Sequence, residues 1–390
     1  VVVTASHNPK EYNGYKAYWT DGSQVTAPHD RNIIAEVEKI TSIDQILTGA
    51  NPGNITLLGE EFDEIYLNKV HTLSLSPESV GKFHDMKIAY TPLHGAGVRL
   101  VPASLRKWGF TNVSLVEEQA VIDGNFPTVE SPNPEERKTM AKAIELGSRL
   151  GADLVLATDP DSDRIGVALR NAKGEYVLLN GNQTLSLIMA YQLTRWSELG
   201  RLDGKEFVVK TIVTSQMPNV MAAHFGVKCY DCLTGFKYIA RIIRNNEGKA
   251  TYIGGGEESF GYLAGDFVRD KDAVSACSLV AEAAAWTRDT MGLTLYEWLQ
   301  KLYVEFGFFR EGLVSVVRKG MEGAAEIQQM MVDYRADPPR EIAGSPVVKI
   351  NDFKLLESTD VRTGAKTPIE EEASNVLQWF AADGTVVSVR

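Results

Sequence analysis

The chain has 390 residues, 44% hydrophobic and 23% charged, the balance of a folded protein of several domains; this excludes a disordered, collagenous or disulfide-scaffold chain. Forty basic and fifty-one acidic residues give a net charge of −11. No broad basic face for nucleic acid is therefore expected, and an anionic substrate must be held by a local group of Lys and Arg. With only three cysteines, and no apolar run near the roughly 20 residues that span a bilayer, the sequence predicts a reducing, cytoplasmic setting and no membrane partner. The richest apolar stretch, Ser278 to Trp286, is broken by Glu282.

Val1–Val3 reads as a short buried strand leading into a polar, turn-rich loop, Thr4 to Gly14. Ile33, Ile34, Val37 and Ile40 have helical spacing and predict a helix over Pro28–Ile40. Asn51-Pro52-Gly53-Asn54 is a loop, and a second helical pattern runs from Glu60 to Leu75 until Ser76-Pro77. Lys87–Tyr90 predicts a strand, Thr91–Gly97 a turn, and Val98–Trp108 a helix with Gly109 as its left-handed cap. Val113–Val116 is the next strand, a helix ends over Leu146–Arg149, and Leu154–Ala157 is an apolar strand. Phe207–Val213, Met217–Phe225, Gly226 and Val227–Cys229 repeat the order strand, helix, glycine, strand. We read this as a weak structural repeat. Alternating strands and helices predict parallel sheets covered by helices. Gly312–Arg318, Ser345–Ile350 and Val386–Arg390 read as strands of a final α+β region.

Three loops carry chemistry. The strand at Leu154 runs into Thr158-Asp159-Pro160-Asp161-Ser162-Asp163-Arg164. Carboxylates at i, i+2 and i+4 of an extended turn can face one side, and a hard divalent cation relieves their repulsion. An EF-hand would need Gly where Arg164 stands and Glu where Arg170 stands, so that reading fails. In Thr4-Ala5-Ser6-His7-Asn8-Pro9, Ser6 follows a strand on a tight loop, as a nucleophile or phosphoryl carrier would, with His7 beside it. In Gly254-Gly255-Gly256-Glu257-Glu258-Ser259-Phe260-Gly261 the glycines allow close backbone approach and two adjacent acids can accept hydrogen bonds from sugar hydroxyls; a flexible hairpin turn is the plain alternative. Arg269-Asp270-Lys271-Asp272 follows, as a solvated charged turn or a cationic group facing phosphate. Cys229-Tyr230-Asp231-Cys232 leaves a predicted strand rather than opening a helix, and Cys277 is the only other thiol, so strand-end packing is expected there rather than zinc or redox chemistry.

In this order and spacing, the serine, aspartate and Gly-Glu-Glu-Ser-Phe-Gly loops resemble those of the α-D-phosphohexomutase family, which includes phosphoglucomutases and phosphomannomutases. The resemblance spans nearly the whole chain. It implies consecutive α/β/α domains with mixed, mostly parallel sheets, then an incomplete α+β domain: 1–84 as the end of domain I, 85–203 as domain II, 204–307 as domain III and 308–390 as domain IV. It implies a chain truncated at both ends, with Arg390 opening a phosphate-clamping loop whose remainder is absent.

By resemblance, Ser6 is the phosphoserine, and Asp159, Asp161 and Asp163 hold one Mg²⁺ together with the serine phosphate. His7, Lys16 and Lys271 join Ser6 as catalytic groups, Lys271 as proposed acid and base. Arg164, Thr234, Gly235, Lys237, Glu257, Ser259, Arg269 and Arg390 would bind substrate. Two departures matter. Ser162 stands where many members carry Gly, and Gly261 stands where phosphomannomutase-type members carry His, which moves the expectation toward glucose phosphates. The implied reaction is reversible exchange of glucose 1-phosphate and glucose 6-phosphate, with glucose 1,6-bisphosphate as intermediate and activator, in a monomer or homodimer; mannose and pentose phosphates are the alternative substrates. A serine phosphatase and an inactive sugar-phosphate-binding fragment are the rival classes.

Overall fold

The computed structural model describes residues 1–49, 52–318 and 320–390. They form two compact units, Val1–Phe309 and Arg310–Arg390. In chain order the first unit contains β1 (Val2–Val3), β2 (Tyr15–Lys16), α1 (His29–Val37), α2 (Glu60–His71), α3 (Pro77–Lys82), β3 (Ile88–Thr91), α4 (Gly97–Trp108), β4 (Val113–Leu115), α5 (Ala141–Leu150), β5 (Leu154–Thr158), β6 (Ile165–Arg170) and β7 (Tyr176–Leu178). It continues with α6 (Gly181–Glu198), β8 (Glu206–Thr211), α7 (Met217–His224), β9 (Lys228–Cys232), α8 (Phe236–Asn246), β10 (Thr251–Gly256), β11 (Tyr262–Ala264), α9 (Ala273–Met291) and α10 (Leu295–Phe306).

Two mixed sheets organise this unit, ordered β4-β3-β5-β6-β7 and β9-β8-β10-β11. In each, three parallel strands are followed by an antiparallel one. The repeat read from the sequence is therefore a repeat of topology. β3, β5 and β8 are buried along their whole length, as parallel strands covered on both faces must be. Gly109 and Gly226 take the left-handed φ expected of helix-ending glycines, +114° and +68°.

The long helix α9 lies in the main core and is rich in Ala and Ser, which lets neighbouring helices approach closely. Ser278 and Ser104 of α4 hydrogen-bond across one such approach at 2.7 Å. Glu282, which interrupts the apolar run, is fully buried and fully employed. Its carboxylate accepts hydrogen bonds from Ser74 Oγ, Leu75 N, Ser76 N and Tyr191 Oη at 2.5–3.0 Å. It thereby ties the turn before α3, and α6, to the central helix.

The second unit packs α11 (Gly320–Ala336) with an antiparallel sheet of β12 (Glu341–Ile342), β13 (Ser345–Asp352), β14 (Glu357–Asp360), β15 (Lys366–Pro368), β16 (Leu377–Ala381) and β17 (Val386–Val389). The order is β15-β14-β13-β16-β17, with β12 beside β13. Met331, Val347, Leu377 and Trp379 form its core. This is the α+β region expected.

Some expectations fail. Val1–Val3 is exposed rather than buried, because among the described residues its only strand partner is β2. Gly312–Arg318 forms no strand; no neighbouring strand pairs with it among the described residues, and Leu313 and Val314 are 85% and 88% exposed. Gly254–Gly256 is the buried end of β10 and not a flexible hairpin turn; its glycines do allow close backbone approach, since a Cβ at Gly255 would meet Val209 O of β8 at 2.2 Å. The first helix is shorter than read and buries no residue. Of the predicted loop at 51–54, Asn51 lies outside the described residues and Pro52–Asn54 makes one 3₁₀ turn.

A Glu282→Gln variant keeps the shape but replaces an acceptor oxygen with a donor facing existing donors. Urea unfolding should show a loss of about 1–3 kcal/mol relative to the parent chain; an unchanged midpoint would remove Glu282 from its tying role.

Candidate active site

The three chemistry-bearing loops occupy equivalent places in the fold. Each leaves a strand and returns as its antiparallel neighbour: residues 4–14 between β1 and β2, 159–164 between β5 and β6, and 257–261 between β10 and β11. The last two interlock, with Ile165 N donating to Phe260 O at 3.0 Å and Arg164 bridged to Gly261. Close backbone approach holds the aspartate loop: Ala96 N donates to Pro160 O at 2.8 Å, and a Cβ at Gly95 would fall 2.3 Å from Pro160 Cα. Ser162 has φ +61°, the left-handed region in which Gly is easiest, so the departure noted in the sequence is accommodated at some strain.

Ser6, also at positive φ (+52°), is pinned by a 2.8 Å bond from its N–H to Thr4 Oγ1. Its Oγ donates to Asp159 Oδ2 at 3.1 Å and lies 3.1 Å from His7 Nδ1. Thr4 Oγ1 donates to Asp161 Oδ2 at 3.0 Å. Lys16 Nζ sits 3.1 Å from Asp161 Oδ2 and 2.7 Å from Asp163 Oδ2, and Lys271 Nζ is 3.0 Å from Asp163 Oδ2. The serine loop and the aspartate loop, some 150 residues apart in sequence, thus share one site.

One oxygen from each aspartate lies within 4.8 Å of the others. Asp161 Oδ1 and Asp163 Oδ1 are buried with no hydrogen-bond partner. Burial, then the charges of Asp163 and Asp161, push the Asp159 carboxyl well above its ordinary range. Burial also opposes ionisation of Asp163, but the Lys271 and Lys16 ammonium groups outweigh it and hold this carboxyl low. Against burial, Asp163 and Asp161 keep Lys16 protonated, and Asp163 and Asp270 keep Lys271 protonated. Crowded carboxylates with orphaned buried oxygens fit a hard divalent cation. Burial, with Arg164 nearby, lowers His7 to about 4, so at neutral pH it is an uncharged imidazole beside the serine hydroxyl.

The third loop brings its residues to the same end of the sheets. Glu257 is buried and accepts from Gly235 N at 2.9 Å; Gly235 has φ +118°. Burial raises the Glu257 carboxyl. Thr234 Oγ1 is buried without a partner, and Ser259 is half-buried in the turn. Lys237 Nζ pairs with Asp30 Oδ2 at 3.0 Å. Lys271 runs over Gly261, where an added Cβ would meet Lys271 Cδ at 2.4 Å. A larger side chain at 261 and this lysine placement exclude each other, which gives the second departure a steric basis.

The turn at 269–272 is not solvated: the Arg269 and Lys271 side chains are 11% and 9% exposed. Arg269 pairs with Glu247 at 3.4 Å. With Asp161, Ser162, Asp163 and Lys271 it lines a cavity of about 390 Å³ whose walls include neither Ser6 nor residues 257–261. Arg390 belongs to the second unit, where it follows β17 and is exposed. Cys229 and Cys232 sit on β9, Cys229 half-buried and Cys232 buried.

Sequence reasoning missed the residues that hold the site together. Asp270 accepts from Tyr18 Oη at 2.6 Å and from Gln24 Nε2 at 2.7 Å, fixing the Lys271 turn to the first loop region. Glu135 takes Arg164 Nη1 at 2.8 Å. Only the turn-rich composition of Ser131-Pro132-Asn133-Pro134 marked that segment.

Family models for phosphoglucomutase/phosphomannomutase α/β/α domains I, II and III match residues 1–44, 64–174 and 180–306. A phosphoglucomutase of Staphylococcus aureus (strain MRSA252) is 33% identical over 390 residues, covering 99% of this chain and 69% of that protein. A putative phosphomannomutase from Thermus thermophilus superposes with TM-score 0.66 at 21% identity, covering 99% of this chain and 73% of that one. The open form of a Paramecium phosphoglucomutase, pp63/parafusin, gives 0.62 at 16% identity, covering 100% and 69%. Three loops in the order and spacing of the family, matched by family models and relatives along the chain, make this protein a member of the α-D-phosphohexomutase family and a mutase.

Proposed function

We propose that the chain interconverts glucose 1-phosphate and glucose 6-phosphate in the cytoplasm, passing a phosphoryl group through Ser6, with Mg²⁺ on Asp159, Asp161 and Asp163 and glucose 1,6-bisphosphate as intermediate and activator. The observation that carries this reading is Ser6 Oγ at 3.1 Å from Asp159 Oδ2, beside carboxylate oxygens left without partners. When bound, the cation would offset the carboxylate charge and the charge on the transferring group.

The chain's own residues supply the rest. The sugar hydroxyl oxygen bonds to phosphorus as the bond from phosphorus to Ser6 Oγ breaks, and its proton passes to a nearby base. In the return step the other phosphate of the bisphosphorylated sugar moves to Ser6. With the Ser6 hydroxyl hydrogen directed at Asp159, neutral His7 can donate its Nδ1–H to Ser6 Oγ. Lys16 and Lys271 bring positive charge to the place where phosphoryl oxygens gather. Lys271 stands as an ammonium paired with Asp163, so its first role in this arrangement is to donate a proton or a hydrogen bond. Glu257, Ser259, Thr234, Gly235 and Lys237 are the sugar-facing group, and Arg164 and Arg269 serve phosphate. The glucose preference is supported by the phosphoglucomutase relatives and by Lys271 lying over Gly261. Domains I to III divide, on this reading, at the change of sheet near residues 84 and 203.

Three outcomes are expected of the intact protein. Ser6→Ala and Asp161→Asn should each lower mutase kcat below about a thousandth of the parent value. Retained turnover with undiminished Mg²⁺ dependence would refute the assignment. Chelation should abolish activity and Mg²⁺ restore it in a coupled assay; activity indifferent to chelator would contradict the metal reading. With glucose 1-, mannose 1- and ribose 1-phosphate side by side, glucose should lead in kcat/KM by roughly tenfold or more. Steady release of inorganic phosphate unaffected by glucose 1,6-bisphosphate would mark a phosphatase instead, and calorimetric binding without turnover a binding protein.

A further inference from the structure

The segment Ser131–Glu135 touches two of the three loops and has no role in the chemistry above. Ser131 Oγ donates to His7 O at 3.0 Å, inside the serine loop. Four residues on, Glu135 Oε1 receives Arg164 Nη1 at 2.8 Å from the end of the aspartate loop; the two side chains are 24% and 16% exposed. The segment itself is rigidly set. Asn133 Oδ1 accepts from Glu135 N at 3.1 Å, and Thr139 Oγ1 donates to Ser131 O at 3.0 Å. Pro134 lies against Gly166 of β6, where an added Cβ would come within 2.9 Å of Pro134 Cβ.

Arg164 has several rotatable bonds and five N–H donors in a planar fork. Its Nε is buried without a partner, and its charge lies close enough to His7 to depress that imidazole. A guanidinium fixed through one terminal nitrogen keeps the rest of its fork for another anion or hydroxyl. We propose that Glu135 is a positioning residue for Arg164, aiming the unused part of the guanidinium at substrate beside Ser6, while Ser131 registers the serine loop to the same rigid segment. The inference rests on the reading of Arg164 as a substrate-binding group. Ordering the arginine in advance removes an entropy loss otherwise incurred on binding substrate.

The test is a kinetic double-mutant cycle on the intact, Mg²⁺-loaded protein with glucose 1-phosphate, using Glu135→Gln, Arg164→Gln and the pair. Glu135→Gln should lower kcat/KM roughly tenfold, mainly through KM. In the Arg164→Gln background the same change should cost less than about twofold, because the group through which Glu135 acts is gone. Glu135→Asp should recover part of the loss. A Glu135→Gln protein with parental kinetics overturns the proposal. So does an equal loss in both backgrounds, which is what a merely structural glutamate would give. If the parent protein is itself inactive in this assay, the functional reading falls and this inference with it; an active parent with an indifferent Glu135 overturns this inference alone.

Discussion

Three carboxylates held within 4.8 Å of one another repel, and burial makes the repulsion stronger. A chain folds into that arrangement only if compensation is built around it. Here Lys16 and Lys271 approach from opposite parts of the sequence, the Ser6 and Thr4 hydroxyls donate into the cluster, and Asp159 Oδ1 accepts the backbone N–H groups of Asp163 and Arg164 at 3.0 and 2.9 Å. Even so, two carboxylate oxygens stay unsatisfied. The site is a pocket of concentrated carboxylate oxygens at the ends of strands, which on the proposed reading a hard cation with a phosphoryl group would complete.

Geometry explains how one site draws on distant sequence. Each of the serine, aspartate and Gly-Glu-Glu-Ser-Phe-Gly loops joins a strand to its antiparallel neighbour. The β4-β3-β5-β6 and β9-β8-β10-β11 sheets share one topology, so their loops emerge at matching places and hydrogen-bond to each other through Ile165 and Phe260. Small residues permit this closeness: Gly95 under Pro160, and Gly181 against Glu258 O, where a Cβ would fall at 1.8 Å. Buried Glu282 ties the turn before α3 and helix α6 to α9.

Much of this was legible in the sequence. Fully apolar runs such as Leu154–Ala157 and the glycines at 109 and 226 marked strands and helix ends, and the ordered trio of motifs marked the chemistry. What was not legible depended on partners. Val1–Val3 and Gly312–Arg318 have strand composition, yet burial comes from neighbours that composition does not name. At Gly254–Gly256 the close backbone approach that glycine permits was legible, but not that it would serve the packing of β10 on β8. Glu135, Asp270, Tyr18 and Gln24 act through contacts across 29 to 252 positions, and an isolated Glu or Tyr carries no local mark of such a role.

The central claim is that the Ser6 oxygen and the three aspartates share one divalent ion. Anomalous scattering from crystals of the protein grown with Mn²⁺ tests it most directly. The account predicts a single strong peak bonded to one oxygen each of Asp159, Asp161 and Asp163, with Ser6 or its phosphate as a further ligand. At saturating Mn²⁺, no peak there, or an ion held elsewhere with Ser6 turned away from the aspartates, would contradict it.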